Sequence, residues 1–166
     1  MVERYPVIDE MHLEHEGLFD FKEMYKLIDT WLLEKFYDKR EIKNIEYVEA
    51  EGKYIEIWLM PWKKITDYAQ FEIRIRIFIK GMKEVEAEKD GIKVKLNQGK
   101  ISMIFDSYLT TDYEGRWEQK PIFYFLRTIF DKYIYRIYTA KFESGLVADT
   151  KLMYSTIKAF LNLHRY

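Results

Sequence analysis

Two histidines lie close together near the start of the chain, in the segment His12-Leu13-Glu14-His15. Histidine and carboxylate side chains at short spacing can ligate a metal ion. On a strand, however, His12 and Glu14 share one face and His15 points to the other, so the two rings diverge. The spacing also differs from the i, i+4 pair of a helical zinc motif. The pattern therefore favours a surface strand over a metal site.

A group of carboxylates follows later, where Glu84, Glu86 and Glu88 share one face of a predicted strand. Paired carboxylates act as acid and base when one of them is desolvated. These alternate with Lys83 and Lys89, which favours a solvated edge rich in ion pairs. We assign no catalytic residue and no cofactor, and we expect a protein that is not an enzyme.

Arg74 and Arg76 stand two apart in a run whose other positions are apolar, so both point to one face of a strand. Such a pair can grip an anion between two guanidinium groups. A cross-strand ion pair with Glu56 is the simpler prediction, because Glu56 is expected on the neighbouring strand.

The segment 120–141 mixes basic and aromatic residues, a combination that can hold single-stranded nucleic acid or lie on a membrane. Its apolar residues recur at helical spacing, so it reads as an amphipathic helix of the core. A net charge of -1 removes any general attraction to nucleic acid. No phosphate-binding, dinucleotide-binding or nucleophile motif is present, and we expect no nucleic-acid partner.

Composition bounds the class of protein. The 166 residues are 48% hydrophobic and 33% charged, which is typical of one globular domain over residues 1–166. There is no cysteine, so disulfides and thiol chemistry are excluded. No secretory signal or membrane-spanning stretch is evident, and we expect a cytoplasmic protein. The excess of Lys, Glu and Ile over Asn and Gln suits a thermophile. Aromatics, at 17%, are a weak sign of a binding surface.

The elements that must position these residues follow from periodicity and turn signals. We predict a strand over 4–15, a helix over 20–37 with Asp20 as its N-cap, and a hairpin of strands 41–50 and 53–60. The segment 71–79 alternates isoleucines with charges, Gly81 is expected to break it, and short strands 82–89, 92–97 and 100–110 follow. Helices are predicted from Pro121 to about 137 and over 149–163, separated by Gly145.

This order resembles the helix-grip fold of the START and Bet v 1-like superfamily, over about residues 4–140. The resemblance implies an α+β protein: a curved antiparallel sheet of about six or seven strands wrapped on a long C-terminal helix, with one N-terminal helix. It also implies a cavity between sheet and helix that takes a hydrophobic or amphipathic molecule. The helix at 149–163 is an addition to that pattern.

If this fold is adopted, the ligand-binding residues are apolar or aromatic and come from the sheet and the helix after Pro121: Ile57, Ile75, Phe105, Phe125, Ile129 and Tyr133. The alternative is a solid core, because aliphatic side chains pack densely by default.

The opposite face of the sheet is richer in aromatics than a solvated face requires, with Trp58, Phe78 and Tyr108 as candidate interface residues. We expect the helix at 149–163 to cover it, with a homodimer interface as the second explanation. Three functions are therefore weighed: non-catalytic binding of a small molecule, protein interaction or homodimerisation through the aromatic face, and, by fold analogy alone, a cyclase-like or hydrolase-like enzyme.

Overall fold

The structure is a computed structural model that describes residues 2–113, 121–133 and 135–164. Its elements, in chain order, are β1 (Glu3–Phe19), α1 (Phe21–Glu34), β2 (Glu41–Glu49), β3 (Gly52–Leu59), β4 (Trp62–Lys64), β5 (Ala69–Lys89), β6 (Ile92–Thr111), α2 (Pro121–Tyr133) and α3 (Tyr135–Leu163). The predicted α+β class is confirmed, with a curled six-stranded antiparallel sheet, an N-terminal helix and C-terminal helices.

The strands are ordered β1-β6-β5-β3-β2, and β4 pairs with β5 beside the end of β3. Each of the neighbouring pairs along this order is antiparallel. The first strand therefore joins the sheet beside the last one, with Glu3 opposite Thr111 and Phe19 opposite Asn97. β1 and β2 are the edge strands of this order, and β2 carries many charged residues, which discourages pairing with other chains.

β5 and β6 are longer than predicted, and the breaks expected at Gly81 and at Gln98-Gly99 are wrong. β5 runs to Lys89 and β6 runs from Ile92 without interruption. Gly81 has a φ of +62°, and the β5–β6 register shifts between Lys80 and Lys83. The positive φ thus produces a β-bulge, which bends a strand without ending it.

The start of α1 is as predicted. Asp20 is the N-cap, and its Oδ1 accepts a hydrogen bond of 3.1 Å from the backbone N–H of Glu23. The bond satisfies one of the helix donors that has no partner inside the helix. Met24, Ile28 and Leu32 then recur at helical spacing and are buried against the sheet.

The helix that packs on the sheet differs from the one expected. α3 continues through Gly145, and its buried residues Leu146, Met153 and Ile157 belong to the same core as the isoleucines of β5. Gly145 faces the Phe71 ring, and a Cβ there would lie 3.6 Å from Phe71 Cζ, an ordinary contact distance. The expectations that Gly145 ends a helix and that residues 149–163 cover the aromatic face are both wrong.

The core lies between α1, α3 and one face of the sheet, which we call the inner face. Its strand residues are buried and mostly aliphatic: Ile55, Ile57, Leu59, Ile73, Ile75, Ile77, Ile79, Met103, Phe105 and Leu109. A polar contact joins the segment after α1 to α3 at the edge of this core, where the Tyr37 hydroxyl donates a 2.8 Å hydrogen bond to Asp149 Oδ2.

Candidate functional site

The opposite side of the sheet, here called the outer face, carries the polar and aromatic residues that alternate with the core. Trp58 of β3, Phe78 of β5 and Tyr108 of β6 lie on it and are half-buried. α1 and α3 pack on the inner face, so these aromatic side chains are covered by their neighbours within the sheet rather than by those helices. This face holds the three predicted interface residues.

Asp106 lies at the centre of the outer face and is fully buried. The register places it directly opposite Arg74 across the β5–β6 pair. Its Oδ2 accepts hydrogen bonds from Arg74 Nε at 2.9 Å and from Arg76 Nη2 at 3.1 Å. One carboxylate oxygen therefore holds two guanidinium groups in place.

The other oxygen of Asp106 is bound by the backbone of β1. The register of β1 on β6 shifts between Ile8 and Met11, and Glu10 within this shift has a φ of +50°. The bulge directs the Glu10 N–H at Asp106 Oδ1, at 2.9 Å. Burial by itself raises the pKa of Asp106, but the hydrogen bond from Glu10 and the guanidinium of Arg74 outweigh it and hold that pKa below its usual value.

Two aromatic rings flank the arginines. The Tyr108 ring has Arg4 Cζ 3.8 Å and Arg74 Cζ 5.6 Å from its centroid. The Trp58 ring has Lys43 Nζ at 5.3 Å and Arg76 Cζ at 6.0 Å. Each ring is thus in range of cation–π attraction from two cations, which favours a fixed orientation of the rings.

Glu56, the predicted partner of the arginines, pairs instead with Lys43, at 2.7 Å. Arg74 and Arg76 do form a cross-strand ion pair, as predicted, but their partner is Asp106 and the prediction of Glu56 is wrong. The reason is strand order, because β5 has β6 on one side and β3 on the other, and Asp106 on β6 lies in register with Arg74.

The six predicted ligand-binding residues are not brought together. Ile57, Ile75 and Phe105 are buried in the core on the inner face. Phe125 and Ile129 lie on α2 and are 66% and 42% exposed. Tyr133 ends α2, and its side chain lies outside the described residues.

The exposure of α2 is the feature that the sequence did not reveal. Ile122, Phe125, Leu126 and Ile129 follow the i, i+3, i+4, i+7 pattern of one helix face, and all four are exposed. Their spacing is equally suited to a core helix and to a helix that contacts another molecule.

Two cavities lie near the end of the sheet where β1 finishes. One, of about 320 Å³, is bounded by Leu13 and His15 of β1 and by Lys158 and Leu161 of α3. Another, of about 380 Å³, lies beside the Gly81 bulge. His15 is buried and contacts the Leu18 carbonyl through Nε2 at 2.9 Å, whereas His12 is exposed beside Glu10.

Within the described ranges, no three His, Cys, Asp or Glu side chains are grouped so that they could hold a metal ion. The same part of the chain contains no helix that is long and apolar enough to cross a membrane.

Comparisons with protein-family models, with curated proteins and with solved structures find no significant match.

Proposed function

We propose that this chain is a protein-interaction module that pairs with a second copy of itself through the apolar face of α2. The observation that supports this is the exposure of Ile122, Phe125, Leu126 and Ile129, at 65%, 66%, 47% and 42%. Burying large apolar side chains away from water is favourable, so a group of them on one exposed helix face would be stabilised by contact with another apolar surface. Such a patch is typical of a contact surface.

A second copy fits this surface for geometric reasons. The stripe on α2 repeats at three- and four-residue spacing, the pattern by which two like helices interlock. Two copies related by a twofold axis would present the same stripe to each other, the commonest arrangement of homo-oligomers. A net charge of -1 opposes the approach of two copies only weakly.

The outer face of the sheet is the less apolar candidate for a homodimer contact. Its aromatic residues Trp58, Phe78 and Tyr108 are half-buried, and cations of the same chain lie over two of them. The apolar side chains of α2 are therefore more exposed than the aromatic side chains of the outer face.

The test compares oligomeric state by light scattering after gel filtration, over a dilution series, for the wild type and for Leu126→Glu. We expect the wild type to shift from dimer to monomer on dilution, and the variant to stay monomeric because it places a charge in the contact. Leu126 is exposed in the single chain, so circular dichroism should show an unchanged fold.

Leu33→Glu is the matched control, because Leu33 is a leucine of α1 that is 75% exposed and lies outside the proposed contact. It should dimerise as the wild type does. A wild type that remains monomeric at its solubility limit, or a Leu126→Glu variant that still dimerises, contradicts the proposal.

Binding of a small amphipathic molecule is the second candidate, and the cavity of about 320 Å³ between α3 and β1 favours it. Its volume is at the lower end for a ligand site. Native mass spectrometry of protein purified from cells tests this function. Retained mass that is lost in Lys158→Trp, which places a large ring at the exposed side of the cavity, would support it. The resemblance to the helix-grip fold stays a prediction.

A further inference from the structure

The arginine pair on the outer face has fewer ion-pair partners than its neighbours. Arg74 and Arg76 share the single carboxylate of Asp106. The neighbouring ion pairs on this face are matched one to one, Arg4 with Glu72 at 3.0 Å and Lys43 with Glu56 at 2.7 Å. Asp9 lies close enough to act on Arg74 as well. Arg76 is therefore the arginine whose ion pair, among the described residues, is only a shared one.

One donor of this group is also unused. Arg76 Nε is buried and has no hydrogen-bond acceptor among the described residues. A buried charged donor without an acceptor costs free energy, so its acceptor is commonly a bound water, an ion or a group of another molecule. Arg76 uses only Nη2 on Asp106, so its other donors remain for a second acceptor.

We propose that Arg74 and Arg76, held in place by Asp106, bind a carboxylate group of another molecule on the outer face of the sheet. A carboxylate supplies two acceptor oxygens that match a guanidinium fork. It also adds only one negative charge to a group in which Asp106 and Asp9 already act on the arginines. A phosphate with two charges would leave a larger net negative charge on this partly buried surface.

The aromatic rings beside the arginines would contact the part of the ligand that carries the carboxylate. Tyr108 and Trp58 lie under Arg74 and Arg76. A carboxylate on an aromatic or otherwise flat apolar group can therefore contact a ring while its oxygens face the guanidinium groups. An Asp or Glu side chain of a protein partner could use the arginines and gain less from the rings.

The experiment follows the Nε–Hε signals of Arg74 and Arg76 in ¹H–¹⁵N correlation spectra while acetate, benzoate or inorganic phosphate is added at constant ionic strength. We expect saturable shifts of both signals with benzoate and acetate, and weaker shifts with phosphate. Tighter binding of benzoate than of acetate identifies a free aromatic acid as the ligand class. Equal binding shows that the site recognises the carboxylate alone, as it would in an acidic side chain.

Arg76→Met should weaken carboxylate binding by about tenfold or more, because it removes a charge-assisted hydrogen bond. Arg40→Met is the matched control, since Arg40 is an exposed arginine away from this site, and it should bind as the wild type does. Absence of saturable shifts, preference for phosphate, or equal loss in both variants overturns the proposal.

Leu126 is not one of the residues that form the arginine site, so Leu126→Glu should retain carboxylate binding, and failure of one proposal leaves the other standing.

Discussion

Single side chains join parts of this protein that are far apart in sequence. The Tyr37 hydroxyl binds Asp149 Oδ2, and the Tyr154 hydroxyl donates to the His12 carbonyl at 3.0 Å. Asp106 links β5 and β6 to the bulge of β1. Each of these bonds holds a helix or a strand in one position on the sheet.

Tyr37 should make stability fall in alkaline solution. Its side chain is only 4% exposed, and burial raises the pKa of the hydroxyl well above its usual value, with a further contribution from Asp149. Because the folded pKa exceeds the unfolded value of about 10, this stabilisation is complete below pH 10 and is lost as the pH rises above it. The loss should be about 1.4 kcal/mol per pH unit.

Tyr37→Phe should lack this alkaline loss, while costing about 1.5 kcal/mol at neutral pH through the missing hydrogen bond. Urea unfolding at a series of pH values measures both effects. Tyr47→Phe is the control, because Tyr47 is 54% exposed, and it should follow the wild type. A Tyr37→Phe profile parallel to the wild type above pH 10 would show that Tyr37 is not the group responsible.

At this scale the sequence predicted the direction of side chains better than their partners. Alternation along β5 assigned Arg74 and Arg76 to the outer face, and the structure agrees. Their partner, Asp106, depends on which strand lies beside β5 and in which register, and periodicity carries no information on either. Asp106 itself was visible as a charged residue within an apolar run.

At the scale of elements, the sheet depends on close backbone contact at its bulge. Gly52 at the start of β3 faces Gly81 and Met82 of β5, and a Cβ at Gly52 would lie 2.7 Å from Gly81 C. Gly52 also has a φ of +132°, which residues with side chains rarely adopt.

Gly52→Ala should therefore be strongly destabilising, and Gly17→Ala separates the two causes. Gly17 has nearly the same φ, +130°, yet a Cβ there meets no atom within 4 Å. We expect Gly17→Ala to show the backbone strain alone, about 1 to 2 kcal/mol, and Gly52→Ala to cost about 2 kcal/mol more through overlap. Chemical unfolding of both variants measures the difference, and equal losses would exclude the close contact.

The sequence signals for elements succeeded where they were local. The N-cap at Asp20 and the turn at Asp90-Gly91 depend on neighbouring residues, and the structure has both. Gly81 and Gly145 were interpreted as breaks. Gly81 instead lies at a β-bulge, and Gly145 faces the Phe71 ring within a continuous helix. Contacts between residues far apart in sequence cannot be predicted from a local pattern.

At the scale of the whole molecule, the main difference from expectation is the helix that closes the core. Residues 121–137 and 146–161 both have apolar residues at helical spacing, so the spacing alone does not select one of them. The structure places the second on the inner face. In the first, it leaves Ile122, Phe125, Leu126 and Ile129 exposed.

Truncations to alanine should reproduce this assignment. Ile157 is 1% exposed, and Ile157→Ala should cost about 3 kcal/mol through lost burial and the cavity it leaves. Leu152, on the outward side of the same helix, is 45% exposed, and Leu152→Ala should cost less than about 1 kcal/mol. Thermal and urea unfolding of the monomeric Leu126→Glu background measure both without a contribution from association. Similar losses at the two positions would contradict the packing of α3.

The pairing of β1 with β6 has a consequence for how the protein is made. β1 is synthesised before β6, so the two strands cannot pair along their full length until the chain has been made as far as Thr111. The isoleucines of β5 also stay incompletely buried until α3 has been synthesised as far as Leu161, which belongs to the same core. Contacts of such long sequence separation form slowly, and unpaired strands invite aggregation in the meantime. The nascent chain should therefore complete this fold only after Leu161 has been synthesised, and it should be prone to aggregation until then.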